Sequence, residues 1–217
     1  MMELKVNGLK KKYGRKVVLD GIDLSAGEGE CIGLIGGNGS GKSTFLSILA
    51  GIIKADDGSF MVKADGKPAK MGYVPQGTPL IPELSARDNL LLWYDRKALQ
   101  QELQSGVLQE LGISDFLKVP VRKMSGGMKK RLSIGCAVAG GPQVLLMDEP
   151  TAALDIACKN AIYEYMKSFQ KKGGIILLAT HDIHEIELCD RCYLLTDGKM
   201  QAYVYDGDMN KLAERMK

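Results

Sequence analysis

The chain reads as an α/β protein built on a mainly parallel sheet, with an antiparallel β region ahead of it and a helical block inserted into it. Three observations point there. Strand-length apolar runs alternate with helix-period segments over much of the 217 residues. A stretch dense in glycine joins one such strand to one such helix. Residues 85–140 carry helical patterning with no clear strand and so interrupt the alternation.

Taken in order, the first 30 residues read as two short strands, ELKVNGLKKKYG and KVVLDGIDLSA, with glycine-containing turns. ECIGLI is an apolar run of strand length. STFLSILAG has apolar residues at helical spacing up to Gly51, a residue suited to close a helix. KADDGSF reads as a turn-rich patch, MGYVP as a strand and QGTPLIPELSARDNL as a loop entering a helix. The helical block then runs through Leu90, Leu91, Trp93, Tyr94, Leu99, Leu103 and VLQELGISDFL. Beyond it, QVLLMDEP is a buried strand, AALDIACKNAIYEYMKSFQKKGG a helix closed at Gly173, GIILLAT a strand and HDIHEIELC a helix. RCYLLTDG and KMQAYVY form a hairpin turned at Asp197 and Gly198, and the tail from Asp206 is helical. Such alternation predicts a parallel sheet covered on both faces.

Composition narrows the function classes. The chain is 45% hydrophobic and 25% charged, ordinary for a globular protein. A net charge of +3 is too small to argue for nucleic acid, and none is expected as a partner. No uncharged apolar run approaches the roughly 18 residues of a membrane span. MMELKVNGLKKK has no apolar signal region, so secretion is not expected. The five cysteines form no framework, as expected of reduced cytoplasmic thiols. Cys189 and Cys192 make a lone C-x-x-C, for which a metal or redox role is the alternative to plain packing. The 11 methionines read as core filler.

The glycine stretch carries the chemistry. Four glycines fall between Gly36 and Gly41, and Gly36, Gly41, Lys42 and Ser43 fill the pattern G-x-x-x-x-G-K-[ST] between a strand and a helix. Glycines let successive backbone N–H groups converge on phosphate oxygens, and the helix N-terminus adds partial positive charge. Lys42 then reaches the β- and γ-phosphates, and Ser43 ligates Mg²⁺. In VLLMDEP, Asp148 and Glu149 end an apolar strand, where carboxylates need a cation, and nucleotide-bound Mg²⁺ is one. Glu149 is then free to orient or deprotonate an attacking water. His181, one of two histidines, also follows a strand and can face the γ-phosphate, whereas His184 reads as an exposed helix residue. Ser125, Gly126 and Gly127 open a helix and make a second anion site, or a plain N-cap.

Together these segments resemble the ATP-binding subunit of ABC transporters over essentially the whole chain. GGNGSGKST looks like Walker A, and its residues Gly36, Gly37, Asn38, Gly39, Ser40, Gly41, Lys42, Ser43 and Thr44 are the expected phosphate cradle. VLLMDEP looks like Walker B, YVPQ the Q-loop, MSGGM the signature, AALD the D-loop with Asp155, and THD the switch-histidine loop. The resemblance implies a P-loop NTPase core. Residues 1–75 and 141–217 would form a RecA-like core with its N-terminal β region, and residues 76–140 the helical subdomain of a single 1–217 cassette.

It implies ATP and Mg²⁺ as ligands, Tyr13 stacking on adenine, Gln76 and Ser43 on the metal, and Asp148 reaching it through water. It gives Glu149 and His181 the catalytic roles. Two copies would sandwich two ATP molecules head to tail, each between one copy's Walker A and the other's Ser125, Gly126 and Gly127. The signature departs from the family pattern at Met124, where leucine is usual, and at Met128, where glutamine is usual. The expected role is a cytoplasmic ATPase at the inner face of the membrane, driving a separate membrane-spanning permease, of exporter type. GTPLIPELSARDNL is the expected contact. A soluble ABC ATPase, for example one serving cluster assembly, is the competing reading.

Overall fold

The computed structural model describes residues 1–216. The chain begins with two long antiparallel strands, β1 (Met2–Tyr13) and β2 (Lys16–Gly27). In β1 the residues Met2, Leu4 and Val6 alternate with exposed ones, so one face packs and the other meets solvent. β3 (Cys31–Ile35), wholly buried, leads through the glycine loop into α1 (Lys42–Leu49). α1 buries Phe45, Leu46, Ile48 and Leu49, each side chain contributing roughly 1.5–3 kcal/mol.

β4 (Asp57–Ala64) and the two-residue β5 (Lys67–Pro68) complete a four-stranded sheet of order β2-β1-β4-β5. This differs from the turn-rich reading of KADDGSF, because Asp57, Gly58, Ser59 and Phe60 already belong to β4. Gly58 lies against Gly8 across an irregularity of the β1–β4 register, where a Cβ would fall 2.5 Å from the Gly8 carbonyl oxygen. The glycine that suggests a turn instead permits a close strand crossing.

β6 (Met71–Val74) is followed by α2 (Ala86–Leu90), α3 (Arg96–Ser105), α4 (Val107–Glu110), two short 3₁₀ turns and α5 (Gly126–Ala137). α2 opens with a capping box of Ser85 and Asp88, and α3 with Asp95 accepting from the Ala98 amide. The helical patterning read through Leu91, Trp93 and Tyr94 ends sooner, since α2 stops at Leu90 and the chain turns. Then follow β7 (Val144–Asp148), α6 (Ile156–Lys171), β8 (Ile175–Ala179), α7 (Ile183–Glu187), the hairpin β9 (Arg191–Thr196) and β10 (Lys199–Tyr203), and α8 (Met209–Arg215). Asp197 and Gly198 both have positive φ, 49° and 74°, as a type I′ turn requires.

The main sheet has the order β10-β9-β3-β8-β7-β6. Its strands run parallel except for β10, which pairs antiparallel with β9 at the edge. β3, β7 and β8 are buried on both faces, as near-continuous apolar runs such as VLLM and IILLA require. One core cluster joins the helical block to one face through Leu145, Met147, Ile176 and Leu178. A second joins α1 and the antiparallel sheet through Leu34, Leu146, Leu177 and Phe45, and a smaller third gathers Ile35, Ile186, Leu194 and Leu212. Among the described residues, no helix is long and apolar enough to cross a membrane.

Candidate active site

Four neighbouring strands, β3, β8, β7 and β6, deliver the candidate residues to one end of the sheet. Parallel register aligns their carboxyl ends: Leu34 and Asp148 both face Ala179, and Val74 faces Met147. Open α/β sheets bind ligands at that end. There, Tyr13, Asn38, Gly39, Ser40, Gly41, Lys42, Ser43, Thr44, Gln76 and Glu149 line one cavity of about 500 Å³.

The glycine loop is shaped by its backbone. Gly41, the N-cap of α1, has φ 111°. A Cβ there would fall 2.9 Å from Val18, so only glycine lets β2 lie so close. No side chain caps α1, which leaves its first N–H groups free for an anion. Lys42 is 6% exposed, and its Nζ donates to the carbonyls of Gly36 (2.7 Å) and Gly37 (3.1 Å). Burial pushes its pKa down, against the pull of Glu149 and Asp148. Asp148, also buried, is pushed up by burial and by Glu149, while the neighbouring Ser43 hydroxyl and the charges of Lys42 and Lys130 oppose this. A buried ammonium and a buried carboxyl both short of counter-charge fit a polyphosphate and a divalent cation between them. Tyr13, half exposed at the rim, has the Lys11 ammonium 5.5 Å from its ring centroid.

Glu149 adopts φ 46°, rare for a residue with a side chain, while its amide donates to the Ala179 carbonyl at 2.9 Å. One carboxylate oxygen accepts from Gln76 Nε2 at 2.8 Å, and the other lies 3.2 Å from His181 Nδ1. Gln76, Glu149 and His181, from loops after three different strands, therefore form one chain of hydrogen bonds. His184 is exposed on α7.

The residues Ser125, Gly126 and Gly127 lie apart from this cavity. Ser125 caps α5 by accepting from the Met128 amide at 3.2 Å, and both Ser125 and Gly126 are exposed. Gly127 is buried against Cys158, where a Cβ would fall 2.1 Å from the thiol. Met128 packs its side chain against the helical core, a place for an apolar group rather than an amide.

Two further residues belong to the site and were not singled out in the sequence. Lys130, 4% exposed, donates from Nζ to the carbonyls of Pro75 (3.0 Å) and Gln76 (2.9 Å), tying α5 to the loop that bears Gln76. Its only sequence signal is the basic run KKR, which periodicity alone does not divide into buried and exposed members. Glu185, 1% exposed, accepts from Thr151 and Thr180. Cys31 and Cys189 approach to 3.7 Å between sulfurs, and no described group of acidic, histidine or cysteine side chains is arranged to hold a metal ion by itself.

Comparison with known proteins shows the family and the fold. A family model described as ABC transporter matches residues 19–152. The linearmycin resistance ATP-binding protein LnrL of Bacillus subtilis is 36% identical over 211 residues, covering 92% of this chain and 68% of the relative. The Nod factor export ATP-binding protein I of Sinorhizobium fredii is 36% identical over 208 residues, covering 90% and 61%. The chain thus spans about two thirds of the length of these curated relatives. Among solved structures, an ATP-binding subunit of an ABC transporter superposes with a TM-score of 0.83 at 26% identity, covering 99% of each chain. A dimeric ATP-binding cassette in a post-hydrolysis state bound to ADP and Pi superposes with a TM-score of 0.80 at 26% identity, covering 94% of this chain and 100% of the other.

Proposed function

The chain belongs to the ABC transporter family as a nucleotide-binding ATPase cassette, and from that premise we propose that it drives export through a separate membrane-spanning partner. The observation that carries the site assignment is the convergence of Lys42, Asp148 and the Gln76–Glu149–His181 chain on one end of four adjacent strands.

In this reading the α1 N-terminus and Lys42 hold the phosphates of ATP, and Tyr13 flanks the adenine. Ser43, Gln76 and Asp148 would hold Mg²⁺. Bound there, the cation would neutralise charge on the β- and γ-phosphates. Glu149 orients the attacking water and takes its proton, and His181 keeps the carboxylate aimed at the γ-phosphate. Ser125 and Gly126, exposed at the N-terminus of α5 and away from the chain's own cavity, with the buried Gly127 behind them, face the γ-phosphate held by a second copy. The dimeric relative with ADP and Pi supports a two-copy arrangement.

Export follows from the names of the relatives, which concern Nod factor export and linearmycin resistance. The surface after Gln76 supports a membrane partner: Ile81, Leu92 and Trp93 are 43%, 58% and 65% exposed. Movement of that surface, tied to α5 through Lys130, would pass nucleotide-driven closure to the partner. Steady-state phosphate release by the purified chain, with Lys42→Ala beside it, tests the catalytic half. Lys42→Ala is expected to weaken ATP binding and lower turnover by at least about a hundredfold, and unchanged turnover would refute the assignment. The transport half requires that the chain sediment with membranes only when a membrane-spanning partner encoded beside it is coexpressed. Sedimentation independent of any such partner would count against it.

A further inference from the structure

Glu185 has no part in the steps above, yet it is the most deeply buried acidic residue near them, at 1% exposure. Its two oxygens serve two different segments. One accepts from Thr151 Oγ1 at 2.7 Å, and the other accepts from Thr180 Oγ1. Thr151 lies two residues past Glu149, and Thr180 immediately precedes His181. Thr180 Oγ1 also accepts from the Asp182 amide at 2.9 Å, and the Tyr163 hydroxyl of α6 lies 3.4 Å from Thr151 Oγ1. Lys159, also on α6, pairs with Asp182. One carboxylate on α7 therefore joins the segment after β7, the loop after β8 and, through Thr151, α6.

An apolar side chain would fill this place without desolvating a carboxylate, and burial does push the Glu185 pKa up, against its two hydroxyl partners. What the carboxylate supplies is a bidentate tie of fixed span. The two segments it ties carry Glu149 and His181, 3.2 Å apart. Glu149 also holds a left-handed backbone that persists only where its surroundings over-determine it. We propose that Glu185 is a positioning residue for ATP hydrolysis, setting the separation and aim of Glu149 and His181 by holding Thr151 and Thr180 on one carboxylate. This rests on the ATPase reading above.

The test compares Glu185→Ala, Glu185→Gln and the triple variant Glu185→Leu/Thr151→Val/Thr180→Val by steady-state turnover, ATP affinity and thermal unfolding. Misplacing a reacting group by about 1 Å can cost on the order of a hundredfold. Glu185→Ala is therefore expected to lower kcat by tenfold or more with KM and ATP affinity within about threefold. Glu185→Gln recovers most of the rate, because the amide accepts from Thr180 and donates to Thr151. The triple variant removes both hydroxyls along with the carboxylate, leaving only the part-buried Asp182 amide and Tyr163 hydroxyl without these partners, and is expected to fold but keep the low kcat. A Glu185→Ala kcat within threefold of the parent would overturn the proposal. So would a triple variant with parental kcat, or a Glu185→Gln as slow as Glu185→Ala. A parent chain that does not hydrolyse ATP would instead overturn the reading on which the proposal rests.

Discussion

Replacing Glu149 with glutamine separates the chemistry of this site from its shape. The side chain sits between the Gln76 amide at 2.8 Å and His181 Nδ1 at 3.2 Å. Glutamine can keep both contacts, with its oxygen accepting from Gln76 and its amide donating to His181 Nδ1 when that ring carries its proton on Nε2. Charge and basicity are what it removes, so the stability change is expected to stay under about 1 kcal/mol. A positioned general base contributes on the order of 10²–10⁴ in rate, which is about 3–5 kcal/mol of barrier. Lys42, Ser43 and Asp148 are untouched, so ATP still binds. Phosphate release should fall by that factor while ATP affinity stays within about threefold. With ATP the stalled variant should elute from size-exclusion chromatography as a dimer. With ADP it should elute as a monomer, since no γ-phosphate remains for the opposing Ser125 and Gly126. Hydrolysis within threefold of the parent would remove Glu149 from the role of base. A variant that stays monomeric with ATP, alone and in the presence of the membrane partner, would remove the two-copy sandwich.

Two other substitutions probe the site from different sides. Asp148→Asn should stabilise the nucleotide-free protein in thermal unfolding at neutral pH and lower turnover about 10–100-fold, the loss typical of a group supporting a metal. The sign follows from burial, which raises the folded-state pKa of Asp148, so its ionised form destabilises the fold above the ordinary carboxylate range. That penalty is absent below the unfolded-state value of about 3.9, builds up between it and the raised folded-state value, and is complete above the latter. The gain from asparagine should accordingly shrink toward pH 4, and a gain independent of pH would contradict it. Gly127→Ala places a methyl group 2.1 Å from the Cys158 sulfur and 2.9 Å from its Cβ, so α5 must shift against α6. Overpacking of this kind costs about 1–3 kcal/mol, seen as a lower melting temperature together with reduced turnover; parental values of both would show that the two helices separate freely.

The phosphate loop was legible because its backbone demands glycine and its chemistry demands lysine and serine at a fixed spacing. Strands such as VLLMD were legible because burial on both faces leaves no polar position. β4 was hidden because Gly58 serves a close crossing of strands and not a turn. Lys130 and Glu185 were hidden for a different reason. Each is one polar residue among several in a short helical segment, and only the packing of a distant loop makes it buried. The hydrogen bonds to Pro75, Gln76 and Thr151 cross between segments far apart in the chain, where local pattern carries no information.

The left-handed backbone of Glu149 bears on how this protein would respond to laboratory evolution. A conformation that glycine or asparagine adopts more readily is here imposed on a glutamate, at a strain of order 1–3 kcal/mol. A library selected only for survival of heat would therefore enrich Glu149→Gly and Glu149→Asn, each a more durable molecule with no engine. Any campaign to harden this cassette has to couple its screen to phosphate release, or its winners will be the variants that have stopped working.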